Sequence, residues 1–176
     1  MPSPVQPWMR RAARVGLSLS LSLSLGLSLA AATLCATGVS AQEDACDGQP
    51  SGVRLFISVD RVVRTEGQVA ATVYPDDPHR FLAHHGQLAI VRRPSAAPST
   101  QLCLWLPAAG RYEVAVYQDL NGDHRFNRTA LGLPAEPYGL SNDPPNLMGL
   151  PTFRSVRFPV HAGDNTIHIP LHKARG

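Results

Sequence analysis

From Gly52 onward the apolar residues recur at every second position, the period of a β-strand with one buried face. Val53, Leu55, Ile57 and Val59 alternate with Arg54, Phe56, Ser58 and Asp60. Val69, Ala71 and Val73 make a second run, and Gln87 to Arg92 a third, centred on Leu88 and Ile90. In a fourth, Leu102, Leu104 and Leu106 share one face, with Cys103 and Trp105 on the other. Tyr112, Val114 and Val116 form a fifth, Val156, Phe158 and Val160 a sixth, and Ile167, Ile169 and Leu171 a seventh. Turn formers separate the runs: Pro75-Asp76-Asp77-Pro78, Arg93-Pro94, Pro107-Ala108-Ala109-Gly110, Asn121-Gly122 and Ala162-Gly163-Asp164-Asn165. No amphipathic helical stretch of twelve residues occurs, and 76–85 suffices for one helical turn at most. About seven short strands with one apolar face each must bury those faces against one another. The pattern therefore predicts an all-β, antiparallel two-sheet sandwich, with Pro159 and Pro170 at edges.

One segment breaks the rhythm. Residues 128–152 hold five Pro and three Gly without alternation. A loop of this length in a compact domain is usually functional or packed around its own side chains. Its apolar anchors are Tyr138, Leu147 and Phe153, and the segment is expected to be ordered.

The N-terminus has a different character. Arg10, Arg11 and Arg14 precede an apolar Leu-Ser run from Gly16 to Leu34, and small residues lead to Val39-Ser40-Ala41. That order predicts a secretory signal over 1–41, cleaved before Gln42. An uncleaved membrane anchor is the alternative, since the apolar run is near the length of a bilayer span. The mature chain is then a tail, 42–51, and one sandwich domain, 52–176, exported to the periplasm or beyond and without a membrane span. Removing the three signal arginines leaves 16 − 3 = 13 basic residues against 13 acidic ones. A neutral chain with no basic run has no electrostatic footprint for nucleic acid. Cleavage also reduces three cysteines to two, Cys46 and Cys103. In an oxidising compartment that pair predicts a disulfide.

Candidate chemistry concentrates in Asp119-Leu120-Asn121-Gly122-Asp123-His124-Arg125-Phe126-Asn127. Side-chain oxygens at 119, 121 and 123 have the spacing that converges hard ligands on Ca²⁺. The EF-hand pattern fails, because His124 stands where Gly is needed and Ala130 where the bidentate Glu belongs. A looser calcium turn, completed by Asn127, Glu136 or Asp143, stands beside a metal-free β-hairpin turning at Asn121-Gly122. The seven histidines (79, 84, 85, 124, 161, 168 and 172) show no zinc-ligand spacing. His168 and His172, four strand residues apart, are separated by roughly 13 Å, too far for one ion, and solvated surface positions are expected. No nucleophile elbow or phosphate-binding glycine loop occurs in the mature chain.

The stretch Leu106-Pro107 through Gly110-Arg111-Tyr112-Glu113-Val114-Ala115-Val116 resembles a strand of transthyretin-like and carboxypeptidase-regulatory-like sandwiches. Three motifs C-terminal to it are more specific: Asp119-x-Asn121-x-Asp123, Leu131-Gly132-Leu133-Pro134-x-Glu136-x-Tyr138-Gly139-x-Ser141-Asn142, then Gly149-x-Pro151-x-Phe153. These motifs resemble the bacterial secreted domain-of-unknown-function family 2141. The resemblance implies export and a small transthyretin-like or Ig-like sandwich, and assigns no activity. Its members tend to carry an acid where this chain has Asn127, which weakens a cation site here.

The residues support two functional readings. The first is a non-catalytic binding or structural module of the bacterial cell envelope, with its functional face at 117–152. It requires no cofactor and leaves an envelope, glycan or protein partner to be identified. Its candidate binding residues are Asp119, Asn121, Asp123, Asn127, Glu136, Tyr138, Ser141 and Asn142, the first three also the candidate Ca²⁺ ligands. The alternative is a hydrolase or carbohydrate-active domain using Glu136, Asp119 or Asp123 as acid and base, which requires two carboxylates about 5–9 Å apart across an open cleft.

Overall fold

A computed structural model of the chain describes residues 46–145 and 151–174. The signal segment with its cleavage position, the first tail residues, Leu147 and Gly149 lie outside the described residues.

Eight strands and one short helix occur among the described residues: β1 (Val53–Asp60), β2 (Gln68–Pro75), β3 (Ala89–Pro94), β4 (Ser99–Trp105), β5 (Gly110–Asp119), β6 (Tyr138–Leu140), α1 (Phe153–Val156), β7 (Phe158–Val160) and β8 (Gly163–Pro170). They build two sheets. One has the order β4-β1-β8; the other runs β3-β2-β5-β6, with β7 also paired to β5. The chain is thus all-β, as the alternation requires. The pairs are antiparallel except β1 with β8, which run parallel in register Val53↔Gly163 to Asp60↔Pro170.

The core lies between the sheets and is made of the alternating residues. Leu55, Ile57 and Val59 of β1 meet Val69, Ala71 and Val73 of β2, Val114 and Val116 of β5, and Leu102 and Leu104 of β4. Each fully buried side chain of this kind contributes roughly 1.5–3 kcal/mol. Pro170 ends an edge strand, and Pro159 sits in β7, on the outer side of β5.

Three expectations are corrected. The third run turns its other face inward: Val91 is buried and packs opposite Ala71, while Leu88 and Ile90 are each 40% exposed. Hydrophobicity alone favoured the larger pair, but the register with β2 decides which alternate set meets the core. Val156, taken as the start of a strand, closes α1 instead, although it is still fully buried. Residues 128–152, read as having no strand, contain β6, whose three residues are too few to show a period. Residues 76–85 form turns, with a single helix-like bond from the Phe81 N–H to the Asp77 carbonyl.

The tail is tied down. Cys46 and Cys103 are disulfide-bonded, with Cα atoms 4.6 Å apart. Asp47 adds a bridge beside Leu104, its N–H donating to Cys103 O at 3.0 Å, and Arg93 donates to its carboxylate at 2.9 Å.

Candidate functional site

β5 carries both faces of the problem. Tyr112, Val114 and Val116 enter the core; the alternate positions Glu113, Ala115, Tyr117 and Asp119 face the other way. At the end of the strand Asp119 is fully buried. Its Oδ1 accepts the Gly122 N–H at 2.7 Å; its Oδ2 accepts the His124 N–H at 2.9 Å and the Gln68 side-chain amide at 3.2 Å. Those bonds close the chain into a turn, with left-handed backbone at Gly122 (φ 72°) and His124 (φ 63°).

The side chains of 119, 121 and 123 therefore do not share one face, as an extended segment would require. Asp119 points inward, while Asn121 and Asp123 are exposed. Asn121 Oδ1 accepts the Asp123 N–H at 3.1 Å. Asp123 accepts the Arg125 N–H at 2.8 Å and the side-chain amides of Asn121 and Asn127 at 3.1 and 3.0 Å. The Asn127 bond, then the Arg125 N–H, hold the Asp123 carboxyl below its usual range. Buried Glu136 closes the turn from the far side, accepting the Leu120 N–H at 3.1 Å and the Asn127 N–H at 3.0 Å. Burial pushes its carboxyl up, those two N–H groups pull it back, and Asp119 and Asp123 add repulsion.

Every carboxylate of the turn is thus engaged by donors of its own chain. Among the described residues no three Asp, Glu, His or Cys side chains are grouped so that they could hold a metal ion. Nor is there a tight hairpin at Asn121-Gly122, because the strand that returns beside β5 is β6, beginning only at Tyr138. Asp143 lies elsewhere.

Ser141 and Asn142 are structural ties. Buried Ser141 accepts the Val114 N–H at 3.0 Å and donates to Val156 O at 2.6 Å. The Asn142 amide donates to Ser155 O at 3.2 Å and Arg157 O at 2.7 Å, fastening the turn after β6 to α1 and its exit.

Of the predicted residues, Tyr138 and Asp143 line one cavity. A half-open pocket of about 270 Å³ is walled by Tyr138, Leu140, Asp143, Pro144, Pro151 and His172. β6 supplies its floor, held to β5 in the register Tyr117↔Tyr138 and Ala115↔Leu140. Tyr138 and His172 also exchange backbone bonds, at 3.1 and 2.8 Å, which brings the end of the chain beside β6. Gly139 permits that approach, since a Cβ there would stand 2.5 Å from Pro170 O. Asn142 (φ 63°) and Asp143 (φ 41°) then turn the chain so that the His172 ring Nε2 donates to Asp143 Oδ1 at 2.5 Å. Rings extend the site along the sheet: Tyr117–Phe126 at 5.5 Å, Phe126–Tyr138 at 6.0 Å and Tyr138–His172 at 6.4 Å between centroids. All three lie within the range of favourable ring pairing.

Residues 57–168, from β1 into β8 and including the turn and the floor of the pocket, match the family described as "Uncharacterized protein conserved in bacteria (DUF2141)". The chain belongs to this family. No curated protein and no solved structure gives a significant match.

Two features of this DUF2141 chain escaped the sequence reading. The first is the Asp143–His172 pair, whose members are 29 residues apart and were read as a distant carboxylate and a surface histidine. The second is Glu113, fully buried, with neither carboxylate oxygen receiving a hydrogen bond. Arg157 Nε stands 4.0 Å away, and the same guanidinium is paired with Asp76. Burial, then repulsion by Asp76, pushes the Glu113 carboxyl up to about 7, with Arg157 opposing and Asp77 adding a further upward push. The remaining histidines are dispersed: His168 meets Asp60 at 3.2 Å, and His84 packs on His85 with ring centroids 3.9 Å apart.

Proposed function

We propose that the mature chain is an exported, non-catalytic binding module of the bacterial cell envelope. Its ligand sits in the pocket of Tyr138, Leu140, Asp143, Pro144, Pro151 and His172, at one end of the 117–152 face. The observation that carries this reading is the pocket itself: a concave, largely apolar surface with one polar pair set into it, the usual composition of a small-ligand site. The disulfide supports export, because such bonds persist in oxidising compartments. Among the described residues no helix is long and apolar enough to cross a membrane. A non-catalytic role is favoured because Asp119, Asp123 and Glu136, the acids proposed for hydrolysis, are hydrogen-bonded to groups of their own chain. The turn they hold is proposed to fold without calcium.

The test is to titrate the isotope-labelled mature chain with the soluble oligosaccharide and peptide fraction of a bacterial envelope. Amide shifts should cluster at Tyr138–Asp143 and His172, while mass spectrometry of the fraction shows no new product over hours. Shifts that avoid these residues would remove the pocket from the proposal, and a new product would remove the word non-catalytic.

A further inference from the structure

Resting on the proposed binding role, we infer that the pocket takes one uncharged pyranose ring of a glycan. Size is the first argument. At about 270 Å³ the cavity lies just under the ~300–1,000 Å³ of sites that enclose a drug-sized ligand. It therefore holds one ring-sized unit of a longer, mostly solvated molecule.

Charge is the second. An anionic group would need a Lys or Arg in the wall, and among the described residues none lines it. The one carboxylate on the lining, Asp143, already receives His172 Nε2 at 2.5 Å, so it offers a cation less than a free carboxylate would. The side chains of the pair are still 39% and 45% exposed. A carboxylate has about four lone-pair positions, and one hydrogen bond leaves others to accept from hydroxyls. Sugar hydroxyls both donate and accept, so adjacent ones suit a carboxylate beside an imidazole without bringing net charge.

The third argument is the apolar wall. Leu140, Pro144, Pro151 and the Tyr138 ring surround the polar pair on the lining. A pyranose is amphipathic in the same sense, with hydroxyls at its rim and C–H groups on its faces. Desolvating the faces against proline and tyrosine is favourable only for a ligand that also answers the polar pair, which disfavours a purely apolar guest.

Rigidity is the fourth. Prolines fix φ on both sides of the pocket, and the Asn142 amide bonds to Ser155 O and Arg157 O hold the preceding residue. A preformed wall reduces the ordering cost that makes small-ligand binding weak.

The experiment uses four pure probes on the labelled mature chain: maltotriose, N,N′,N″-triacetylchitotriose, triglycine and L-arginine amide. The expected result is saturable shifts at Tyr138, Leu140, Asp143 and His172 with at least one trisaccharide and none with the other two. Asp143→Ala should weaken that trisaccharide at least tenfold while its ligand-free amide spectrum away from the pocket stays that of the folded wild type. Tyr138→Leu is the second variant in case the first misfolds, with the same loss expected. Pocket shifts from triglycine or L-arginine amide alone would overturn the sugar assignment and leave the binding site standing. The same holds if neither trisaccharide shifts the pocket while the envelope fraction does. A pocket that responds to neither the fraction nor any probe overturns both readings.

Discussion

Asp119 and Glu113 lie six residues apart on one strand, on the same side of it, and both are fully buried. Their surroundings are opposite. Asp119 receives two backbone N–H groups and a side-chain amide. Glu113 receives no hydrogen bond and has only a guanidinium at 4.0 Å that is already paired with Asp76. Burial costs a charge its water in both cases; what differs is whether the fold returns donors in its place. At Asp119 the acid organises the backbone around it. At Glu113 the proton is the cheapest available partner, and the carboxyl is pushed up to about 7.

The largest effect expected from this contrast is at Asp119. Asp119→Ala removes the acceptor of the Gly122 and His124 N–H groups. Hydrogen bonds to charged groups contribute about 1.5–3 kcal/mol each, so urea denaturation should show a loss of about 4 kcal/mol. A loss under about 1 kcal/mol would mean that the turn does not depend on its acid.

Next comes the pH dependence. Glu113 titrates at about 7 when folded, against an ordinary value of 4.5. The folded chain then holds its proton more tightly than the unfolded one, so the associated stability is present below pH 4.5 and lost as pH rises towards 7. The fall should reach up to about 3 kcal/mol, and Glu113→Gln should flatten most of it. Glu136, also shifted up, contributes in the same direction. Asp60, Asp123 and Asp164 are shifted down and act oppositely, in the acid range below their ordinary value of 3.8. A stability curve that rises between pH 5 and 7, or a Gln variant with the wild-type slope, would contradict the contrast.

A smaller effect is expected at Glu136, which accepts two N–H groups as Asp119 does. Glu136→Gln keeps one acceptor and sets an NH₂ against the other donor, which should cost about 1–2 kcal/mol in the same denaturation assay. The smallest effect is that of calcium. With the turn's carboxylates engaged internally, 10 mM Ca²⁺ (about ten times the ~1 mM that weak extracellular sites require) should leave the melting temperature unchanged against chelator. A rise of several degrees would restore the calcium reading.

How much of this was legible depends on sequence distance. The pair Asn121-Gly122 announces a turn, though not its form, and the bond from the Gly122 N–H to Asp119 that closes it spans three residues and needs no tertiary partner. Arg157 and Glu113 are 44 positions apart, and nothing in either neighbourhood marks them as a pair. Ser141 and Asn142 stand in a motif that reads as a binding patch, yet their partners, Val114, Val156 and Arg157, belong to elements the motif does not contain. The Asp143–His172 pair is hidden in the same way, since it exists only because the end of the chain runs beside β6.

The sequence by itself determined the all-β class, the positions of most strands and the presence of a turn at Asn121-Gly122, because alternation and turn chemistry are local properties. It also bounded the chemistry, since the familiar nucleophile and phosphate motifs do not occur in residues 42–176. Tertiary structure alone decided the parallel pairing of β1 with β8, the inward face of β3, the burial of Glu113 without donors and the assembly of the pocket. Each of these depends on register and on contacts between segments far apart in the chain, where a shift of one residue exchanges the face that is buried for the face that meets water.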